Sequence, residues 1–255
     1  MYGSTARAIL GGGAYSVKAV AFDGTNDYLS RGANLTGLLN SKTFTFSGWF
    51  KFSSSGNSQT LLCSKGSSDS YLQVSRLGSG GDTGKLRFVG VGTGSVTRLD
   101  VMTEDTIDTG TWHHIIASFD LSDTNKRFVL IDTNEASLTV TTYTNAVLNF
   151  TSATEFFIGT AESGSPQLYA DVGDLWFNTE YLDLSSSAVY GKFISTTSGK
   201  PKDLGATGEL PTGTSPLLYL SRRNSTASSF ATNKGTGGGL TVTGALTNST
   251  TSPSS

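Results

Sequence analysis

The groups in this chain that could do chemistry are two histidines, a scatter of carboxylates and two turns rich in Asp and Asn. The histidines are adjacent, His113 and His114, in the text TWHHIIASFD. That text reads as a strand, and successive strand side chains point to opposite faces. The pair therefore cannot hold one metal ion without a bulge. No serine lies in the G-x-S-x-G elbow that a serine hydrolase would need. Glycoside hydrolysis takes two carboxylates facing each other across the substrate, whereas Glu104, Glu135, Glu155, Glu162, Glu180 and Glu209 show no clustering on one strand. No catalytic residue is expected, and the chain is not expected to be an enzyme.

Calcium is the one cofactor with candidate donors. Asp120, Asp123 and Asn125, and again Asp23, Asn26 and Asp27, place oxygen ligands at short spacing. The same residues favour turns through bonds to their own backbone, so no metal ligand is assigned. Gly199-Lys200 is followed by proline, and Gly90-x-Gly92-x-Gly94 is not a dinucleotide fingerprint. Tyr28, Trp49, Trp112, Tyr169, Trp176 and Tyr181 could stack on sugar rings if exposed, but are expected in the core.

These groups must be positioned by strands. In Phe44 to Phe52, FTFSGWFKF, the residues Phe44, Phe46, Phe50 and Phe52 fall on one face, with Thr45, Ser47, Trp49 and Lys51 on the other. A helix would scatter the rings, so this is a core strand. Gly48 marks a bulge or a close approach. TWHHIIASFD has no strongly polar face and reads as a central strand buried on both sides. AFDG opens a hairpin. Further strand-length segments lie at 60–64, 71–74, 85–89, 128–131, 138–142, 155–159, 168–177, 216–220 and 240–246, separated by turn residues as in sandwiches and barrels. A single short helix or turn is expected near 184–193.

Length and composition agree with one large all-β domain. Charged residues are 15% of 255, and glycine is abundant at 31. A formal charge of -2 offers no stripe for neutralising phosphates, so no nucleic-acid partner is expected. No apolar run reaches the roughly 18 residues of a membrane span, and the N-terminal text lacks a signal-peptide core. The single cysteine, Cys63, excludes an intrachain disulfide and suits synthesis in a reducing cytoplasm. The expected organisation is an N-terminal arm over 1–16, a β-sandwich over 17–200, strands over 201–246 packed on the same domain, and a tail over 247–255.

The order AFDGTNDYLS, FTFSGWFKF, TWHHIIASFD, RFVLIDTNEA, EFFIGT and YADVGDLWFNTEYLDLSSSAVYGKF resembles the concanavalin A-like lectin/glucanase superfamily in its laminin G-like form. The resemblance covers about residues 17 to 193. It implies a jelly-roll sandwich of two antiparallel sheets, with a glycan or calcium site commonly at the rim or concave face. The glutamate-rich catalytic strand of the glucanase branch is absent, and the family's Y-V-D-G hairpin reads Leu130-Ile131-Asp132-Thr133 here. Residues 216–253 resemble an extension of laminin G-like structural proteins of tailed phages. That resemblance implies a non-enzymatic virion component, in capsid decoration or in a tail or fibre. It would be made in the host cytoplasm and would act as an assembly and glycan-adhesion module. Its partners would be further copies of itself, a trimer among the forms considered, together with other virion proteins and host-surface glycan. The alternative is a calcium-dependent carbohydrate-binding lectin module not tied to a virion.

Overall fold

The computed structural model describes residues 15–54, 56–67, 69–161, 165–222 and 226–255, so the expected N-terminal arm lies almost wholly outside the described residues. In chain order the strands are β1 (Val20–Asp23), β2 (Tyr28–Arg31), β3 (Thr43–Phe52), β4 (Gln59–Lys65), β5 (Ser70–Arg76), β6 (Lys85–Val91), β7 (Thr97–Thr106) and β8 (His113–Asp120). They continue as β9 (Arg127–Ile131), β10 (Asn134–Glu135), β11 (Leu138–Tyr143), β12 (Glu155–Ile158), β13 (Tyr169–Asn178), β14 (Leu218–Leu220), β15 (Thr241–Thr243) and β16 (Thr247–Asn248). They form two sheets whose named strands all pair antiparallel. Sheet A runs β10-β9-β8-β3-β13-β1-β16, with β14 also on β13, and sheet B runs β11-β7-β6-β5-β4-β12-β2-β15. Packed face to face, they make a jelly-roll sandwich.

The alternation in β3 sets the core. Phe44, Phe46, Phe50 and Phe52 are all fully buried between the sheets. Phe46 stacks on Phe50 at 6.1 Å and Phe50 on Phe52 at 5.8 Å, while Phe44 meets Phe119 of β8 at 5.1 Å. Gly48 is a close approach rather than a bulge: a Cβ there would lie 2.7 Å from the Phe50 ring. The missing side chain is the space the ring occupies. The irregularity lies instead in β13, where pairing with β3 shifts between Gly173 and Trp176 and Asp174 has a φ of 42°.

Both faces of β3 and β8 are buried because sheet A is covered twice. Its outer face carries a second apolar cluster of Ile116, Leu130, Trp176, Leu184, Phe193, Leu204 and Tyr219. The chain after β13 folds back over that face to supply the last four. The helix within it, α1 (Ser187–Tyr190), is one turn, shorter than the expected 184–193, because Leu184 and Phe193 are buried anchors outside it rather than parts of a longer helical stripe.

Two further differences from the sequence reading matter. Thr97 to Thr106 is a ten-residue strand, β7, where no strand was expected. Its Asp and Glu content has low strand propensity, yet Leu99 and Val101 alternate inward and are fully buried. The expected tail over 247–255 is instead bonded to the body. Thr247 and Asn248 pair with Ala21 and Val20, Ser252 Oγ donates to Val17 O at 2.7 Å, and Val17 N donates to Ser254 Oγ at 2.9 Å. The edge of β1 otherwise presents unpaired backbone groups, and a polar segment can cover them without apolar side chains to announce it. Among the described residues, no helix is long and apolar enough to cross a membrane.

Truncating a fully buried phenylalanine leaves a cavity as well as lost burial. Phe46→Ala is expected to cost about 3 to 5 kcal/mol by urea denaturation. Leu39→Ala, at a side chain 67% exposed, should stay within about 0.5 kcal/mol of the parent.

Candidate functional site

On the outer face of sheet A the polar groups are sealed in. Ser47 Oγ and His114 Nε2 lie 2.9 Å apart, the geometry of a serine paired with its base. Both residues are only 1% exposed, and the Trp49 ring covers His114 with centroids 4.9 Å apart. Asp132 does not complete a triad. Its Oδ1 accepts the His114 backbone N–H at 2.9 Å, and its Oδ2 lies 3.0 Å from His113 Nδ1 on the other face. Burial pushes the Asp132 carboxyl up, but the bonds from the His113 ring and the His114 backbone N–H, with the charge of His113, outweigh it and hold the carboxyl below the usual range. Burial holds His114 neutral, its pKa lowered to about 3. A serine that substrate cannot reach is not a nucleophile, so this pair is packing.

The two candidate calcium turns hold themselves together. Asp23 Oδ1 accepts the N–H groups of Thr25, Asn26 and Asp27. Asp27 Oδ1 accepts the Ala245 N–H, and Oδ2 the Asp23 N–H. In the second turn Asp120 binds Ser122 and Lys126, and Asp123 Oδ1 caps the Asn125 N–H. Among the described residues no three His, Cys, Asp or Glu side chains come together as a metal-binding group. Of the candidate aromatics, Trp49 and Trp176 are buried, Tyr28, Trp112 and Tyr181 are half-buried, and Tyr169 is exposed.

The open face belongs to sheet B. Direct strand pairing lines up two outward rows across β4 to β7: Cys63, Gln73, Val89 and Asp100 in one, and Thr60, Ser75, Arg87 and Met102 in the next. Arg87 and Asp100 are diagonal neighbours on adjacent strands, joined by two bonds, Nε to Oδ1 at 2.9 Å and Nη2 to Oδ2 at 2.8 Å. This fork holds the guanidinium flat on the sheet. The bonds to Asp100 also raise the Arg87 pKa, against a smaller opposing effect of burial. Beside it, the Gln73 amide donates to Ser75 Oγ at 3.0 Å and Thr60 Oγ1 at 3.3 Å.

Three depressions join end to end over these rows. One of about 220 Å³ is lined by Leu77, Asp82, Arg87, Asp100, Met102 and Thr141. The next, about 320 Å³, shares Leu77 and Arg87 and adds Gln73, Ser75, Val89, Ser58 and Pro166. The third, about 380 Å³, shares Ser58 and Pro166 and ends at Gly24, Thr25 and Gln167. Ser58 is held at the junction by the Gly78 N–H, which donates to its Oγ at 3.2 Å. A Cβ at Gly78 would strike the Asn57 carbonyl carbon at 1.9 Å, so only glycine lets the two loops meet. Gln167 Oε1, at the far end, is buried with no hydrogen-bond partner among the described residues. A separate depression of about 500 Å³ lies at the β9–β11 edge, lined by residues such as Asn125, Arg127, Glu135 and Ser137, away from these rows. The sequence reading passed over Arg87 and Asp100. Arg87 was detectable as the outward residue between Leu86 and Phe88, but Asp100 was hidden with β7.

The family model of the concanavalin A-like lectin/glucanases superfamily, in its laminin G form, matches residues 23–186, and the chain belongs to that superfamily. A Bacteroides ovatus protein named as a candidate carbohydrate-binding protein aligns with a TM-score of 0.65 at 13% identity, over 93% of this chain and 61% of its own. This chain thus spans about three fifths of that relative's length. The native heptameric SAP-like pentraxin of Limulus polyphemus aligns with a TM-score of 0.51 at 15% identity, over 69% of this chain and 82% of its own. At these identities the likeness is one of fold. No curated protein sequence matches the chain significantly.

Keeping His114 neutral links stability to pH. Its folded pKa of about 3 lies below the ordinary 6.5, so between those values the unfolded chain binds the extra proton. Stability is then lost as pH falls below 6.5, by up to about 1.4 kcal/mol per unit. The lowered carboxylates, Asp23, Asp120 and Asp132, act only near and below their ordinary value of 3.8. Urea midpoints measured from pH 7 to pH 5 should fall in the parent and stay level in His114→Asn. Equal slopes would show that another group carries the dependence.

Proposed function

We propose that this member of the concanavalin A-like superfamily is a non-enzymatic glycan-binding module whose site is the groove on the outer face of sheet B. The observation that carries this reading is the asymmetry of the sandwich. The chain's own segment 182–219 covers much of sheet A's outer face with an apolar cluster, whereas sheet B presents an open groove of interleaved donors and acceptors. Sugar hydroxyls are donors and acceptors at once, and a rigid Arg–carboxylate fork beside Gln and Ser side chains offers both. Val89, Met102 and Leu77 supply apolar contact for the ring faces. The neighbour named for carbohydrate binding supports the same reading.

Hydrolysis fits the groove poorly. Its two aspartates are each committed to a cation, Asp82 to Lys85 at 2.9 Å and Asp100 to Arg87. Calcium is not required by this reading, because its polar contacts come from side chains.

A second reading adds a setting: the module works on the virion of a tailed phage, as a homo-oligomer beside other virion proteins, with a host-surface glycan as ligand. Its support is the resemblance of residues 216–253 to extensions of such proteins. Recovery of the chain at fixed stoichiometry from purified particles tests that setting separately from the ligand.

A glycan array followed by calorimetry tests the site. Arg87→Ala and Asp100→Ala are each expected to weaken the best array ligand at least about tenfold, in line with loss of a charged hydrogen-bonding group. Val96→Ala, at an exposed turn, should leave binding unchanged, and so should a chelator. Binding indifferent to both groove variants would overturn the assignment.

A further inference from the structure

The groove on sheet B has a shape and a charge that narrow what it can take. Pockets that hold small ligands run from about 300 to 1,000 Å³. The depression beside Arg87 and Met102, at about 220 Å³, is below that range, and its two neighbours, at about 320 and 380 Å³, lie at its floor. None is a full site by itself. Adjacent depressions share their boundaries, Leu77 and Arg87 at one and Ser58 and Pro166 at the other, so the site is the run of three.

The run crosses the strands rather than following one. Ser75, Arg87 and Met102 stand in register on β5, β6 and β7, with Thr141 of β11 beyond Met102, and Ser58, ahead of β4, beyond Ser75. That is four strand-to-strand steps, about 19 Å, and a pyranose with its linkage advances a chain by roughly one step. Both ends are open. Thr141 at one and Gly24 and Thr25 at the other are exposed, so a chain can run out of the groove in either direction. None of the residues lining the three depressions is aromatic. A ring face would give a single sugar a large flat contact. Without one, each sugar is held by hydrogen bonds and small aliphatic contacts, and affinity accumulates along a chain whose next unit binds intramolecularly once the first is seated.

The charges of the lining are Asp82, Arg87 and Asp100. Arg87 is forked to Asp100, and the Lys85 ammonium is bonded to Asp82, so both cations are already matched. A sugar carboxylate or sulfate laid here would meet two aspartates with no unmatched cation to receive it, and like charges brought together suppress wrong partners. We infer that the groove takes an uncharged linear oligosaccharide of at least three sugar units, including an interior stretch of a longer chain, and refuses acidic glycans. The inference rests on the glycan reading given above and adds length and charge to it.

Calorimetry on the full chain tests both additions. The neutral probes are the cello-, laminari-, malto- and manno-oligosaccharide series from disaccharide to hexasaccharide, and the acidic probe is tetragalacturonate. At least one neutral series is expected to bind, with Kd falling at least about tenfold from disaccharide to tetrasaccharide and then levelling, while tetragalacturonate gives no heat. Asn57→Ala and Gln167→Ala, at the far end of the run, should weaken the tetrasaccharide more than the disaccharide. Asp82→Lys should make tetragalacturonate bind. The inference is overturned by a disaccharide as tight as its tetrasaccharide, by tetragalacturonate bound to the parent as tightly as any neutral tetrasaccharide, or by no neutral series binding at up to about 10 mM. Where the contrary binding is lost in Arg87→Ala, the groove assignment stands and only length or charge has failed. Length-dependent binding untouched by Arg87→Ala and Asp100→Ala overturns the groove assignment and this inference with it.

Discussion

Hydroxyl groups that the second covering layer takes away from water must be bonded inside it, and the architecture of sheet A depends on this. Thr45 of β3 and Ser118 of β8 stand side by side on the outer face, their oxygens 2.9 Å apart and both residues fully buried. Each takes a bond from the chain that follows β13: Thr45 donates to Glu180 O at 2.7 Å, and Ser118 accepts the Leu182 N–H at 2.8 Å. Leaving either group unpaired would cost about 1 to 3 kcal/mol. The bonds therefore fix where the segment crosses the sheet, and the apolar residues beyond it fall onto Ile116, Leu130 and Trp176. The Trp176 indole is satisfied in the same way, donating to Gly208 O at 2.9 Å.

That docking decides which surface is free. Once sheet A carries a second apolar layer, its aromatic and histidine groups are packing, and the same Trp49 and His114 that look like chemistry in a list of residues become a wall. Among the described residues sheet B carries no such layer over β6 and β7, although at β4 the outward Thr60 and Cys63 are buried, Cys63 in a small cluster with Phe157 and Ala161. Its outward side chains are held by each other, the exposed Arg87 by Asp100 and the half-buried Gln73 by the buried Ser75 and Thr60, so Arg87 and Gln73 remain in place where solvent reaches them. A groove whose polar groups are already fixed loses less side-chain entropy on binding than one that must order them.

The fold was legible where one face of a strand is apolar and the other is not. Phe44 to Phe52 announced itself through alternation, His113 to Asp120 through having no strongly polar face, and the short helix through serines ahead of spaced apolar residues, placed correctly though drawn too long. The site was less legible for a physical reason. Residues that line a groove on an open sheet are the solvent-side half of each strand's alternation, and nothing in their spacing separates Arg87 from an ordinary surface arginine. Asp100 was lost for a second reason, since Asp and Glu in β7 argue against a strand unless Leu99, Val101 and Thr103 are weighed together. The C-terminal strands were half legible. Their β-branched residues showed, but edge-covering strands bury backbone rather than side chains and leave little hydrophobic signal.

The same distinction explains why the two lateral sides of the sandwich differ. A segment such as Thr241 to Asn248 needs only extended backbone to close an edge, because the bonds it makes are main-chain bonds. The turn between its two strands is held by Asp27, whose carboxylate accepts the Ala245 N–H, while Gly244, at a φ of 81°, comes too close to that carboxylate to carry a side chain. Asp27 is thus a fixed point that aims β15 at sheet B and β16 at sheet A. No comparable strand is laid along β11 by the described residues. An edge closed by the chain's own backbone has no pairing capacity left. At β11 the sheet ends instead in a strand whose ladder with β7 is interrupted at Thr141, the kind of irregularity that blunts an edge without a covering strand.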